Sequence, residues 1–164
     1  MQYGLTLSVA HVDATRRLGE LCGRIVPKST LITLRGRLGA GKTVFVSGLA
    51  CGLGVKEVTH SPTFTLVSEY MDGRIPLYHI DLYRLGEHAI RDVDLFDEYV
   101  FGEGVCAIEW AELLEDALPA ERLDVHFLDP TSEEEFLDAR KITLSAQGID
   151  NVNVLREWMS EWPY

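Results

Sequence analysis

Apolar positions along the chain change their period several times, and each change marks a predicted helix or strand. Leu18, Leu21, Cys22 and Ile25 follow Asp13 at helical spacing, which predicts an amphipathic helix with Asp13 as its cap. Strand signals, either continuous apolar runs or alternation, occur at residues 30–34, 65–70, 75–80, 105–108, 123–128 and 140–144. The chain therefore alternates between helical and extended segments.

Other segments complete a mixed α/β pattern. Helix signals occur at residues 44–49, 149–158 and, in part, 93–101. The first of these helices is expected to stop at Gly52 and Gly54. Asp72 and Gly73, between two strand signals, favour an antiparallel hairpin, and residues 129–138 are expected to form a turn or surface loop. Because parallel and antiparallel signals are both present, we expect a mixed sheet covered by helices.

Composition and charge limit the function classes. A chain of 164 residues, 46% of them hydrophobic, fits one globular domain over residues 1–164. Residues 1–84 carry 10 basic and 6 acidic side chains (+4), residues 85–164 carry 5 and 20 (−15), and together they give −11. This balance argues against a broad nucleic-acid-binding face. The acidic half is either a solvated surface or a face for a basic partner.

Cysteine and histidine spacing indicates the compartment and argues against zinc. Cys22, Cys51 and Cys106 are scattered, and the five histidines show no metal-ligand spacing. We therefore expect a reducing cytoplasm, no disulfide framework and no structural zinc. No apolar run approaches the roughly 20 residues of a membrane span, and no secretory signal pattern opens the chain. We expect no membrane association.

One motif carries specific chemistry, because residues 36–43 match the phosphate-binding loop G-x-x-x-x-G-K-[ST] of nucleotide triphosphatases. It lies between a predicted strand and a predicted helix, as that loop requires. Its backbone N–H groups and the helix N-terminus would hold phosphate oxygens. Lys42 would reach the β- and γ-phosphates, and the Thr43 hydroxyl would bind Mg²⁺. The candidate nucleotide-binding residues are Gly36, Leu38, Gly39, Ala40, Gly41, Lys42 and Thr43.

Such a site also needs a carboxylate at the end of a neighbouring strand. Glu109 closes the apolar strand 105–108, and Asp81 closes a strand that is interrupted by a histidine. Each is alternatively a helix cap or an exposed strand end. Thr63, in a proline-containing loop, is either a γ-phosphate sensor or an ordinary loop threonine. Trp110, beside Glu109, is expected at the rim of the pocket rather than in the core.

Four motifs in register extend this pattern over most of the chain. They are Leu38-Gly39-Ala40-Gly41-Lys42-Thr43, Ser61-Pro62-Thr63-Phe64-Thr65-Leu66-Val67, Tyr78-His79-Ile80-Asp81-Leu82-Tyr83-Arg84-Leu85 and Ile108-Glu109-Trp110. Together they closely resemble the TsaE (YjeE) family of small bacterial ATPases. The resemblance implies a P-loop NTPase-like three-layer α/β sandwich with a mixed parallel and antiparallel sheet.

The resemblance also implies a function. Members act in the cytoplasm with TsaB and TsaD, and the three install threonylcarbamoyl on adenosine in tRNAs that read codons beginning with A. The tRNA would be contacted mainly through the partners. ATP and Mg²⁺ would be the cofactors, with Thr43 and Glu109 as metal ligands. The resemblance also implies that Asp81 and Lys42 take part in hydrolysis and that Thr63 lies in a switch-like loop. Trp110 would lie beside the active site. Thr15 would lie near the adenine, and Arg140 would contact the nucleotide.

Two departures from the family pattern are visible, Arg37 in place of a usual aspartate and Ala111 in place of proline or serine. Neither removes a group that the chemistry requires. The leading expectation is a slow, Mg-dependent ATPase that its partners stimulate. Two alternatives stay open: a small-molecule kinase on the same loop, and a nucleotide-gated binding module without turnover. A GTPase is less favoured, because the chain contains no N-K-x-D motif.

Overall fold

The structure, a computed structural model, describes residues 1–60, 62, 65–114, 117–131 and 139–163. Regular segments follow one another as β1 (Gln2–Val9), α1 (Val12–Ile25), β2 (Leu31–Arg35), α2 (Lys42–Gly52), β3 (Val67–Tyr70), β4 (Leu77–Asp81), a 3₁₀ segment (Gly86–Phe96), α3 (Asp97–Val100), β5 (Val105–Glu109), a 3₁₀ turn (Ala111–Leu113), β6 (Leu123–Phe127), β7 (Arg140–Gln147) and α4 (Ile149–Glu161). The predicted helices and strands are present, most with ends shifted by a few residues.

Within the described residues the strands form one seven-stranded sheet in the order β1-β7-β6-β2-β5-β4-β3. Strands β6, β2, β5 and β4 run parallel to one another, whereas β1, β7 and β3 pair antiparallel with their neighbours. The mixed sheet is therefore confirmed. Because parallel strands end on the same side, the carboxyl ends of β2, β4 and β5 meet at one edge.

Each face of the sheet has its own apolar core. On one face α1, α2 and α4 pack over the sheet, and Trp158 of α4 donates a hydrogen bond from Nε1 to the carbonyl of Leu18 at 3.0 Å. On the other face Ile80 and Ile108 contact a cluster that includes Phe96 of the 3₁₀ segment. The result is a three-layer α/β sandwich, and the expected P-loop NTPase-like fold is confirmed.

The structure corrects two details at the N-terminus. β1 was not expected, although Leu5, Leu7 and Val9 alternate with polar residues there, and it pairs antiparallel along β7. Asp13 does not cap α1, since His11 precedes the first helical residue and no side chain caps that end. Asp13 instead lies in the first turn, where a carboxylate interacts favourably with the helix dipole.

Two other expectations need adjustment. The part-helical stretch at 93–101 forms the end of the 3₁₀ segment and the single turn of α3. Gly52 is the last residue of α2 and so does not lie beyond the helix end as a stop signal. Gly54, with a φ of 80°, lies two residues after that end. Residues 132–138 of the predicted loop lie outside the described part of the chain. Among the described helices, none has the length and apolar character needed to cross a bilayer.

Candidate functional site

The loop of residues 36–43, the phosphate loop, connects the end of β2 to the start of α2. Gly36, Gly39 and Gly41 have φ angles of 144°, 76° and 114°, a region that side chains disfavour. A Cβ atom on Gly36 would also lie 2.9 Å from Cβ of Phe127 in β6. The loop conformation therefore requires glycine, and it leads directly into the N-terminus of α2, whose unpaired N–H groups attract anions.

A cavity of about 380 Å³ opens over this loop. The residues that line it are Leu38, Gly39, Ala40, Gly41, Lys42, Thr43, Val44, Asp81, Tyr83, Glu109 and Trp110. The structure thus brings together most of the candidate residues from three separate sequence motifs. Gly36 lies outside this lining.

Lys42, the first residue of α2, is 4% exposed and points back along the phosphate loop. Its Nζ donates hydrogen bonds to the carbonyl oxygens of Gly36 at 2.5 Å and Arg37 at 2.8 Å. The same Nζ lies 4.0 Å from the centre of the Trp110 ring, in a cation–π contact. The ammonium group is therefore held at the loop by neutral partners that a phosphate group would outcompete.

Burial and the neighbouring carboxylates shift the pKa of Lys42 in opposite directions. Burial lowers the pKa of Lys42 below its ordinary value, while the nearby carboxylates of Glu109, Glu112 and Asp81 act to raise it. Burial is the larger influence. Because charges interact more strongly where water is excluded, an anionic ligand would bind the buried ammonium group of Lys42 more favourably than an exposed one.

Glu109, at the end of β5, is 2% exposed and accepts two hydrogen bonds. Thr43 Oγ1 donates to its Oε1 at 2.9 Å, and His79 Nε2 lies 2.6 Å from its Oε2. Thr43 and Glu109 were expected together, whereas His79 was not assigned to the site. Its signal in the sequence was a single histidine within an apolar strand, a position where an apolar residue is the default.

Asp81 and Trp110 both line the cavity, at the end of β4 and directly after β5. Asp81 ends β4 in register with Glu109 of β5, and its Oδ1 accepts a hydrogen bond from the backbone N–H of Tyr83 at 3.0 Å. Trp110 has a φ of 61°, a left-handed conformation that is uncommon outside glycine. Its ring packs against that of Tyr83 with centroids 5.1 Å apart. The two aromatic side chains line the cavity side by side.

Thr15 and Arg140 do not line the main cavity. They border a smaller one of about 80 Å³ that also touches the phosphate loop, together with Val12 and Val44. Both residues are therefore next to the loop but separate from Lys42 and Glu109. Thr63 lies outside the residues that the structure describes.

The donor set fits a small hard cation. The Thr43 hydroxyl and the Glu109 carboxylate are oxygen donors, which Mg²⁺ prefers. Across the described residues, no group of three or more His, Cys, Asp or Glu side chains is arranged to hold a metal by itself. A cation here would therefore take two protein donors and complete its shell with phosphate and water, as Mg²⁺ does in phosphate-binding sites.

Comparisons with known proteins agree on one family. The family model described as "Threonylcarbamoyl adenosine biosynthesis protein TsaE" matches residues 9–142. The tRNA threonylcarbamoyladenosine biosynthesis protein TsaE of Bacillus subtilis (strain 168) is 43% identical over 136 residues, which cover 83% of this chain and 82% of that protein. The protein of the same name from Treponema pallidum (strain Nichols) is 48% identical over 109 residues, or 64% of this chain and 77% of its own.

A solved structure is similar over nearly the whole length. The crystal structure of Bacillus subtilis YdiB superimposes with a TM-score of 0.81 at 35% sequence identity, and the match covers 98% of this chain and 97% of that one. The similarity therefore includes the antiparallel edge of the sheet and α4 as well as the phosphate loop.

Proposed function

Since the chain belongs to the TsaE family of threonylcarbamoyladenosine biosynthesis proteins, we propose that it binds ATP with Mg²⁺ at the phosphate loop and hydrolyses it. One observation supports this most strongly. Lys42 and Thr43 of the phosphate loop and Glu109 at the end of β5, 66 positions beyond Thr43, line a single cavity of about 380 Å³ at the carboxyl ends of the parallel strands. Ligand sites in α/β sheets favour that position.

Different residues bind different parts of the Mg²⁺–ATP ligand. The glycine loop and the N-terminus of α2 hold the phosphate oxygens through backbone N–H groups. Lys42 exchanges its contacts with the Gly36 and Arg37 carbonyls for the β- and γ-phosphates. Thr43 and Glu109 would hold Mg²⁺, which would supply positive charge to offset the negative charge of the phosphate groups.

Hydrolysis also requires a positioned water molecule. Asp81 lines the same cavity at the end of the neighbouring strand, so its carboxylate can orient that water toward the γ-phosphate. Trp110 covers the Lys42 side of the cavity and limits the access of bulk water. Thr63 is proposed as a γ-phosphate contact by resemblance alone.

The smaller cavity suits the nucleoside end of ATP. It shares Gly39, Ala40 and Gly41 with the phosphate cavity, so one extended ligand can enter both. Thr15 would contact the adenine or ribose there, and Arg140 would lie beside them.

We further propose that the protein acts in the cytoplasm with TsaB and TsaD in modifying tRNAs that read codons beginning with A. The net charge of −11 is unsuited to direct gripping of tRNA, so tRNA would be contacted mainly through the partners. A partner that completes the site would also accelerate a slow intrinsic ATPase, as in other phosphate-loop enzymes.

The decisive experiment measures ATP turnover by the wild-type chain and by Glu109→Ala, with and without TsaB, TsaD and tRNA. Wild type should release free phosphate slowly alone and faster with the partners, and Glu109→Ala should lose roughly 100-fold or more in rate. Glu103→Ala, which alters an exposed glutamate in a surface ion pair with Lys28, is the matched control and should behave as wild type.

Product analysis separates the alternatives. A phosphorylated small molecule would indicate a kinase, and ATP recovered intact under all conditions would indicate a binding module. Equal rates with and without the partners would contradict the proposed stimulation.

A further inference from the structure

Next to the site lies a buried polar group that the proposed chemistry does not use, the imidazole of His79. His79 is 1% exposed within β4, which pairs in parallel with β5. His79 and Asp81 lie opposite Ala107 and Glu109, so all four face the same side of the sheet. A buried imidazole costs free energy unless it is hydrogen-bonded, so its position next to Glu109 calls for an explanation beyond packing.

The hydrogen-bond pattern fixes where the imidazole proton lies. Nε2 is 2.6 Å from Oε2 of Glu109, whereas Nδ1 is buried and has no hydrogen-bond partner among the described atoms. A carboxylate oxygen accepts, so Nε2 carries the hydrogen and donates. His79 is therefore a one-sided donor directed at Glu109.

The two oxygens of Glu109 are thus restrained by two different elements, one by a helix and the other by a strand. Oε1 accepts from Thr43 at the start of α2, and Oε2 accepts from His79 in β4. The terminal torsion of a glutamate is otherwise broad, so a single contact would leave the carboxylate free to rotate. With Oε2 committed to His79, Oε1 is held beside the Thr43 hydroxyl.

We propose that His79 is a positioning residue that orients the Glu109 carboxylate for divalent cation binding. The proposal rests on the proposed function, in which Thr43 and Glu109 hold Mg²⁺. Hydrogen-bond partners of metal ligands commonly contribute 10- to 100-fold to metal affinity, and His79 is placed to act in this way.

Two amide substitutions separate orientation from burial. In His79→Gln the side-chain N–H₂ group can occupy the position of Nε2 and donate to Glu109. In His79→Asn a similar amide is one carbon shorter and falls short of the carboxylate. Both variants bury a polar amide in β4, so a purely structural role would affect them alike.

The measurement is Mn²⁺ binding followed by electron paramagnetic resonance, with saturating non-hydrolysable ATP analogue and the full-length chain. His79→Asn should weaken Mn²⁺ binding by roughly 10- to 100-fold, and His79→Gln should recover most of that loss. Binding of the analogue without metal should be unchanged in both, because His79 does not line the phosphate cavity.

Each result decides a separate question. If wild type shows no nucleotide-dependent Mn²⁺ binding, the proposed function fails. If wild type binds Mn²⁺ and His79→Asn binds it equally well, or if the two variants are equally impaired, His79 does not position Glu109 and this inference is overturned.

Discussion

Glycine is concentrated in two regions of this molecule, the phosphate loop and the contact between α1 and α2, and it serves a different physical purpose in each. In the loop, Gly39 and Gly41 adopt positive φ angles that other residues disfavour. In the helix pair, Gly19 and Gly48 lie within ordinary helices, where alanine would be preferred if conformation alone mattered. The loop uses the conformational freedom of glycine, and the helix pair uses its lack of a side chain.

The helix pair shows how closely two backbones can approach. A Cβ atom on Gly48 of α2 would lie 2.0 Å from the carbonyl oxygen of Arg16, and one on Gly19 of α1 would lie 2.1 Å from that of Phe45. Gly23 and Gly52 are blocked in the same way by the opposite helix. Because α2 begins at Lys42, this contact sets the position of the helix that carries Lys42 and Thr43. One region makes the site, and the other holds it in place.

The largest expected effect comes from the site itself. Lys42→Ala removes the ammonium group that lines the main cavity and should lower ATP turnover by roughly 100-fold or more. Stability should change little, because burial already disfavours the charged form of Lys42 in the unliganded chain. Steady-state phosphate release and a thermal melt test the two parts.

Lys56→Ala, at an exposed lysine beyond α2, is the control and should leave both measurements as in wild type. Loss of the folded state in Lys42→Ala would show that the loop also stabilises the fold, and the distinction between the two regions would then break down.

The second effect belongs to the helix pair. Gly48→Ala should destabilise the chain by about 2 kcal/mol, because the new methyl group forces α1 and α2 apart. Gly54→Ala meets open space and is strained only by its φ of 80°, so it should cost about 1 kcal/mol. Urea unfolding of the two variants measures the difference. An equal cost would mean that close approach contributes nothing beyond conformational strain.

These two regions also show what the sequence can and cannot reveal. The loop glycines are recognisable because their spacing is fixed relative to Lys42 and Thr43. The sequence predicts Gly52 as a helix stop, but Gly52 lies inside α2 against the carbonyl of Glu20. Close approach depends on which helices become neighbours, and a local pattern contains no such information.

The same limit applies to the site and to the sheet. Glu109 was predictable because a carboxylate ending an apolar strand is itself a local signal. The contact of His79 with Glu109 depends on the parallel pairing of β4 with β5, which spans 30 positions of sequence. β1 was missed because its alternation is short and its partner, β7, lies at the far end of the chain.

The smallest expected effect concerns how the helix pair opens. Cys51 is exposed on α2, whereas Cys22 of α1 and Cys106 of β5 are buried. Burial raises the pKa of the Cys106 thiol to about 12 and raises that of Cys22 as well. At pH 8 a thiol reagent should therefore label Cys51 at once in the native wild-type chain, and the other two only when the structure opens.

In Gly48→Ala the labelling of Cys22 should accelerate more than that of Cys106, by roughly threefold, because separation of α1 from α2 is a smaller opening than exposure of the central strand. Mass spectrometry of the labelled peptides over time gives both rates, and Lys42→Ala should leave their ratio unchanged. Equal acceleration of both thiols in Gly48→Ala would show that the helix pair opens only with the whole sheet. In that case the helix contact and the strands that carry Glu109 form one cooperative unit.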